Sequence, residues 1–316
     1  MPSRNVSICR AAQFALMLRT VWVIAVCASI FVMGPRVDAQ TEPRPIRVAV
    51  LDLGETPTSL RATTSTWGAL SSSSFLLMTS LAESRAAARG VGYAGSLNMT
   101  LEEARDLGAA IGCDYYVIGD AQTLRRSSSA QPVYYEAYAS VFVVSGRTGR
   151  LVLWDRPSVA AAAADQAEKL LLTDLGKRAA RYIEAIQRAQ AAEREERVQA
   201  YERVSAVIED APDDEEAAAS DGIRLPQPYR RLRPAYTDAA SRAEAEATVD
   251  VRLDIDEDGE VSRVEIVRWA GFDLDEATLN TVRQLHFRPA TRGKVPIPMR
   301  VLLRYNFRRP AKEGKR

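Results

Sequence analysis

Short apolar runs separated by turn signals dominate the chain from residue 45 onward. Residues 46–53 (IRVAVLDL) and 114–120 (DYYVIGD) are almost continuously apolar, a pattern typical of strands covered on both faces. Residues 134–144 and 150–154 also have strand patterns, and the segment between them, 145–149 (SGRTG), contains the glycines of a hairpin loop. We therefore expect a sheet with buried central strands.

Helical patterns alternate with these strands. Residues 100–103 (TLEE) have the spacing of a capping box and predict a helix that runs through Ile111. From residue 160 the apolar positions recur every three or four residues, which predicts one buried helical stripe at Leu172, Leu175, Ala179, Tyr182 and Ile186. The helix then becomes polar over residues 187–206, and we expect it to extend away from the domain. These elements predict an α/β domain over residues 45–186.

A charged block separates this domain from the last third of the chain. Residues 209–221 (EDAPDDEEAAASD) contain seven acidic residues and no basic one. Such a block repels itself and lacks apolar anchors, so we expect residues 187–221 to form a polar helix followed by a solvated acidic linker. A metal or protein site in the acidic run is the alternative.

Strict alternation returns in the C-terminal region. Ala247, Val249, Val251, Leu253 and Ile255 alternate with polar residues, and the turn 256–259 leads into a second strand at 261–269. The alternation slips between residues 261 and 264, which predicts a β-bulge. A helix is expected over 273–285, and a last strand ends at Phe307. The region 222–310 is predicted to be a small α+β fold, an antiparallel sheet with one helix on one face, followed by a basic tail at 311–316.

The N-terminus has the features of an export signal. A leader with three arginines precedes an uncharged, mostly apolar run at residues 20–33. Residues 34–35 (GP) end the run, and small residues at 37–39 predict cleavage before Gln40, so that residues 1–39 would be a signal peptide. An uncleaved inner-membrane anchor is the alternative, although the 14-residue run is shorter than the roughly 20 residues that span a bilayer.

Charge and cysteine content argue against a protein that attracts nucleic acid by its net charge and against one stabilised by an internal disulfide. The 42 basic residues balance 41 acidic ones, so no overall field attracts nucleic acid. Cleavage would remove Cys9 and Cys27 and leave Cys113, which excludes an internal disulfide. Cys113 lies in an apolar stretch and is expected to be a buried, inert thiol.

Few residues suggest chemistry. Residues 254–259 (DIDEDG) and Glu265 fit the spacing of an EF-hand calcium loop, but period-two flanks predict a hairpin there, which leaves weak calcium binding as an alternative to a plain turn. His286 is the single histidine and cannot complete a multi-histidine metal site. Asp52, Asp114 and Asp120 leave an enzyme built on carboxylates as another alternative. We expect no catalytic residue, no cofactor and no metal.

The C-terminal region resembles the TonB C-terminal domain family. The resemblance is carried by the two strands and turn between residues 247 and 267, by 271–275 (GFDLD), by 287–290 (FRPA) with 293–296 (GKVP), and by the terminal strand. It covers a little over a quarter of the chain. It implies a periplasmic domain that binds an extended segment of an outer-membrane transporter by strand addition and does no chemistry.

An exposed strand at a sheet edge is the expected binding site, because unpaired main-chain groups accept another strand. The candidate edge is the terminal strand, formed by Met299, Arg300, Val301, Leu302, Leu303, Arg304, Tyr305, Asn306 and Phe307. Arg300, Arg304 and Arg308 on its polar face would favour an acidic partner, or would only solvate that face. The same edge could pair with a second copy and form a homodimer.

Two departures argue against coupling to an inner-membrane motor. In energy transducers of the TonB family, the N-terminal membrane helix carries a histidine. The single histidine of this chain, His286, lies far from the N-terminus. Their long Pro/Lys-rich segment is replaced by a short acidic one.

A weaker resemblance connects residues 48–52 (VAVLD), 112–119 (GCDYYVIG) and 145–150 (SGRTGR) to CsgG-like and TolB-N-like envelope domains, which implies assembly with other envelope proteins.

We therefore predict a non-enzymatic periplasmic binding or scaffold protein. Its expected partners are envelope proteins, including outer-membrane β-barrel receptors. The alternative is a component of TonB-dependent outer-membrane transport that an uncleaved leader anchors in the inner membrane.

Overall fold

A computed structural model describes residues 45–127, 129, 133–202, 208–212 and 215–309. The predicted signal peptide or anchor at 1–39 and the basic tail at 311–316 lie outside the described residues. Both domains belong to one compact unit that begins at Pro45. None of the helices in the described part of the chain has the length and apolar character needed to cross a membrane.

The N-terminal domain is built on a mixed sheet. Its strands are β1 (Ile46–Val50), β2 (Leu76–Met78), β3 (Tyr115–Arg126), β4 (Tyr134–Ser145), β5 (Leu151–Asp155) and β6 (Ser158–Ala161). They lie in the order β2-β1-β3-β4-β5, and β6 pairs with the other half of β4. The pairs β1–β2 and β1–β3 are parallel, whereas β3, β4, β5 and β6 pair antiparallel.

Helices cover both faces of this sheet, as the apolar runs predict. They are α1 (Pro57–Ser71), α2 (Leu81–Gly90), α3 (Leu101–Ile111) and α4 (Ala164–Glu202). Helices α1 and α4 pack on one face over a core that includes Val50 and Leu171, and α2 and α3 pack on the other over Ala49 and Tyr116. The predicted capping box of α3 is confirmed, because the Thr100 hydroxyl accepts from the Glu103 amide while the Glu103 carboxylate accepts from Thr100.

Helix α4 differs from its prediction in three ways. The helix begins at Ala164 and not near residue 160, and residues 160 and 161 belong to β6. Leu171 is fully buried in place of the predicted Leu172, which is half-buried. The polar part stays against the domain as far as Glu196, because Glu193 and Glu196 pair with Arg147 and Arg150 at 2.8 and 2.7 Å. Charged groups in and beside the hairpin loop thus hold the part of α4 that lacks the apolar stripe.

The C-terminal region has twelve short elements among its described residues. In chain order they are β7 (Glu209–Asp210), α5 (Glu215–Ser220), β8 (Ile223–Arg224), β9 (Gln227–Pro228), α6 (Asp238–Ala243), β10 (Ala247–Ile255), β11 (Val261–Arg268), α7 (Leu274–Val282), β12 (Phe287–Arg288), β13 (Ala290–Arg292), β14 (Val295–Ile297) and β15 (Met299–Phe307). The main sheet has the order β11-β10-β15-β7. Helix α7 packs on its apolar face through Leu274 and Val282, which confirms the predicted α+β fold.

Local irregularities follow the sequence pattern. The register of β10 and β11 passes from Asp254 opposite Arg263 to Ile255 opposite Val261, so Ser262 is the extra residue of the predicted bulge.

The acidic block is not a plain solvated linker, because Glu209–Asp210 is a strand of the main sheet and Ala218 is buried against Ile223 and Met299. Alanines within the block supply the apolar contact that its charge obscures.

Candidate functional site

The terminal strand β15 lies between β10 and β7. Its nine residues pair antiparallel with β10 over the whole length, from Met299 opposite Ile255 to Phe307 opposite Ala247. The odd-numbered side chains, from Met299 to Phe307, face the core because side chains alternate along a strand. The even-numbered residues lie on the outer face, where Leu302 is 56% exposed.

Main-chain hydrogen bonding shows which groups of β15 face away from β10. The Ala211 N–H donates to the Arg300 carbonyl oxygen at 2.7 Å, so the main-chain groups of Arg300 point toward β7. Main-chain groups in an antiparallel pair face alternate sides, and those of Leu302, Arg304 and Asn306 therefore also point outward. Strand β7 pairs only with Met299 and Arg300, and no other described strand covers this edge.

The arginines of β15 are engaged within the sheet. Arg300 Nε and Nη2 lie 2.6 and 3.0 Å from the Asp254 carboxylate, and Arg304 Nε and Nη2 lie 2.7 and 3.0 Å from the Asp250 carboxylate. Both carboxylates are on β10, directly opposite their arginines, and are 4% and 3% exposed. Arg268 adds a contact of 3.2 Å to Asp250.

These pairs change the expected electrostatics of the edge. Burial raises the pKa of Asp250, but the guanidinium groups of Arg304 and Arg268 outweigh it and hold the pKa below its usual range. The hydrogen bond to Asp254 raises the pKa of Arg300. Because buried carboxylates balance Arg300 and Arg304, these residues attract an acidic partner less than their sequence pattern suggests.

The residues that fit the spacing of an EF-hand calcium loop make separate contacts in the structure. Asp254 is bound to Arg300, and Glu265 lies 3.5 and 3.6 Å from Arg252 and Arg150. Asp256 Oδ1 accepts from the amides of residues 258 and 260, which forms the turn. The described residues contain no group of three or more His, Cys, Asp or Glu side chains arranged to hold a metal.

The other candidate chemical residues also lie apart. Asp52 binds Arg85 at 2.6 Å, and Asp114 accepts from the Arg47 amide at 2.8 Å. Asp120 accepts from the Tyr138 hydroxyl at 3.1 Å and lies within β3, not at its end as expected. His286 is exposed, with its Nδ1 2.9 Å from Glu260. The structure does not bring these groups together.

The partly buried Cys113 has little thiolate character. Burial raises the pKa of its thiol to about 12, and the neighbouring charge of Asp114 acts in the same direction. A thiol with this pKa is a poor nucleophile at neutral pH.

Comparison with known proteins identifies the C-terminal domain. Residues 233–308 match the family model described as Gram-negative bacterial TonB protein C-terminal. These residues form a TonB C-terminal domain. The match lies inside the predicted region 222–310 and contains all of β15. A domain of this family indicates a protein of the Gram-negative cell envelope.

Solved structures match parts of this chain at low identity and low TM-score. The TonB C-terminal domain of Pseudomonas aeruginosa is 19% identical, with 33% of this chain and 94% of that chain covered and a TM-score of 0.24. The hypothetical protein CT253 from Chlamydia trachomatis is 12% identical, covers 45% and 97%, and has a TM-score of 0.33. Lipoprotein GNA1162 from Neisseria meningitidis is 12% identical, covers 43% and 99%, and has a TM-score of 0.31. No curated protein matches the chain.

The TonB C-terminal domain docks on the N-terminal domain through an aromatic junction that sequence reasoning missed. Trp269 is 1% exposed, and its Nε1–H donates to the Gly149 carbonyl at 3.0 Å. Its ring centroid lies 5.7 Å from that of Phe142, and Phe272 lies 5.0 Å from Trp154. The aromatic residues were visible in the sequence, but their partners are more than a hundred positions away.

Asn98 strengthens this junction. Its side-chain oxygen accepts from the Thr248 amide at 3.0 Å, and its side-chain nitrogen donates to the carbonyls of Thr248 and Trp269. Thr100 forms a β-bridge with Arg268, the last residue of β11. The N-terminal domain therefore contacts the β11 edge of the TonB C-terminal sheet, and the opposite side of that sheet ends in β15 and the two-residue strand β7.

Proposed function

We propose that this protein is a non-enzymatic envelope protein whose TonB C-terminal domain binds an extended segment of a partner by strand addition to β15. The outward main-chain groups of Leu302, Arg304 and Asn306 carry the proposal. They supply hydrogen-bond donors and acceptors with strand spacing, which is what an added strand requires. The exposed Leu302 side chain supplies an apolar contact beside them.

The same proposal places the protein in the periplasm, exported by its N-terminal segment, with outer-membrane proteins as partners. The contact between the two domains supports a scaffold role, because it fixes the orientation of β15 relative to the N-terminal sheet. A homodimer through β15 would use the same main-chain groups and would close the site to other partners.

A proline in β15 tests strand addition. Leu302→Pro removes one outward main-chain donor, and an edge position that faces outward tolerates this loss better than a position paired with β10. Leu302→Ala is the matched control, because it shortens the side chain and keeps the N–H. Both full-length variants are compared with the native chain in capture experiments from an outer-membrane extract, after circular dichroism has shown that they are folded.

We expect the proline variant to lose the captured outer-membrane proteins and the alanine variant to retain most of them. Equal capture by both variants would show that partner binding does not use the main chain of β15. Analytical ultracentrifugation of the same proteins shows whether the chain forms a homodimer. If the native protein and the alanine variant are dimers and the proline variant is a monomer, the β15 edge is used for self-association.

A further inference from the structure

Strand β7 already occupies one end of the proposed docking edge. Glu209 and Asp210 pair in parallel with Met299 and Arg300, and the Ala211 N–H donates to the Arg300 carbonyl at 2.7 Å. This segment of the chain's own acidic block therefore makes the main-chain contacts that an added strand would make. It shows that an extended acidic segment fits this edge in one definite register.

Charge contributes to the recognition of β7. Both Glu209 carboxylate oxygens lie 2.8 Å from Arg292 Nη2, and Asp210 lies 3.9 Å from Arg300 Nη1. Arg292 is the last residue of β13, and β14 lies between β13 and the start of β15 in the chain. Since Asp254 already neutralises Arg300, Arg292 is the residue that gives the edge its preference for an acidic strand.

The contacts of β7 are suited to reversible occupation. The side chains of Glu209 and Asp210 are 52% and 79% exposed, and exposed ion pairs contribute little to stability. Ala211 adds a small apolar contact to the cluster around Met299. A strand of two residues buries little apolar area, so its hold on β15 is weak compared with that of β10.

We propose that β7 is an internal competitor for the docking edge, and that an extended acidic segment of a partner displaces it. This inference rests on the proposed function, since it concerns the same edge. Occupation by β7 restricts a partner to the outward groups beyond Arg300. Displacement opens the whole of β15 and releases Arg292 to bind an acidic side chain of the partner.

A peptide with the sequence of residues 205–214 (SAVIEDAPDD), labelled with a fluorophore, tests this directly. Its affinity for the full chain is measured by fluorescence anisotropy for the native protein and for two variants that weaken β7 by different means. The double variant E209R/D210R reverses the charges opposite Arg292 and Arg300. Ala211→Pro leaves the charges in place and removes the N–H that donates to Arg300.

E257R/D258R is the matched control for charge. Both control residues are exposed acids in the turn between β10 and β11, so the same change in net charge occurs away from β15. We expect both β7 variants to bind the peptide about tenfold more tightly than the native chain and the control, because apparent affinity scales with the fraction of open edges. Adding Leu302→Pro to either β7 variant is expected to reduce the gain.

Two results would overturn the inference. Equal peptide affinity for all four proteins would show that β7 does not compete for the edge. Failure of the peptide to bind either β7 variant would show that the acidic segment is not a ligand of β15. The capture of outer-membrane proteins by Leu302→Pro and Leu302→Ala uses a different ligand, so either result leaves the test of the proposed function intact.

Discussion

The two outer edges of the TonB C-terminal sheet are covered in different ways. At the β11 edge, Thr100 bridges to Arg268 and the neighbouring Trp269 is 1% exposed in a core shared with the N-terminal domain. At the β15 edge, β7 contributes two residues whose acidic side chains are more than half exposed. Apolar burial holds the first edge, whereas a few main-chain bonds and exposed ion pairs hold the second.

Under the proposed strand addition, this difference fixes one side of the sheet and leaves the other side open to a partner. Burial of a large aromatic side chain contributes about 2–3 kcal/mol, whereas an exposed ion pair contributes below about 1 kcal/mol. The β11 edge is therefore expected to open only when the domains separate. The β15 edge is expected to open while the fold stays intact.

Trp269→Ala should have the largest effect, because it removes the centre of the β11 junction. We expect it to destabilise the protein by about 3–5 kcal/mol, from the lost aromatic burial and the cavity that remains. Tyr229→Ala is the control, an aromatic residue that is 63% exposed. Urea unfolding of both variants measures the difference, and equal losses would mean that the junction does not stabilise the fold.

A pair of glycine substitutions separates steric contact from backbone strain. Gly271 has φ +74°, and a Cβ there would lie 2.5 Å from Phe142 Cε1 and 2.9 Å from Trp154 Cδ1. Gly293 has φ +56°, and no heavy atom lies within 4 Å of a Cβ built there. We expect Gly293→Ala to cost about 1 kcal/mol and Gly271→Ala about 2–4 kcal/mol. Similar thermal unfolding temperatures would contradict close packing at the junction.

Asp275 should make the junction sensitive to pH. Its carboxylate accepts from the amides of Ala270 and Gly271, in the loop that follows Trp269, and burial raises its pKa to about 6. The folded state then binds more protons than the unfolded state between about pH 4 and pH 6, so stability contributed by this group falls as the pH rises through that range.

Comparison with Asp275→Asn isolates this contribution. Relative to the variant, the native protein should lose roughly 1 kcal/mol of unfolding free energy per pH unit between pH 4 and pH 6. Urea unfolding at several pH values measures it. A constant difference between the two proteins across this range would show that Asp275 does not titrate there.

The smallest change in global stability is expected at the β15 edge. Glu209→Gln removes the ion pair with Arg292, and we expect the free energy of unfolding to fall by less than about 1 kcal/mol. Hydrogen exchange at the Ala211 amide should nevertheless become faster, because local opening reports the strand and not the whole fold. Exchange as slow as in the native protein would mean that this ion pair does not hold β7.

The regular parts of the fold were predictable because they repeat in sequence. Alternation identified β10 and β15, and the shift between residues 261 and 264 located the bulge at Ser262. The glycine-containing loop before residue 150 predicted the hairpin between β4 and β5. These signals are local, and each reflects the period of one element.

The unpredicted features depend on register and on distant contacts. The pairing of Asp250 with Arg304 requires the exact alignment of β10 and β15, and composition alone suggested free arginines. Strand β7 is too short to show a period, and its acidic residues favoured a linker. The contacts of Asn98 with Thr248 span 150 positions, so no local pattern could indicate them.

In the proposed competition, the covalent attachment of β7 determines how strongly a partner must bind. Six positions separate Glu202, at the end of α4, from Glu209, and a tether this short keeps the strand near β15 at an effective concentration on the order of millimolar. A partner present at about 1 μM would then need an intrinsic affinity for β15 roughly a thousandfold higher than that of β7 to occupy half of the edges. We expect short unrelated strands to bind below this threshold, so that the proposed competition would exclude them.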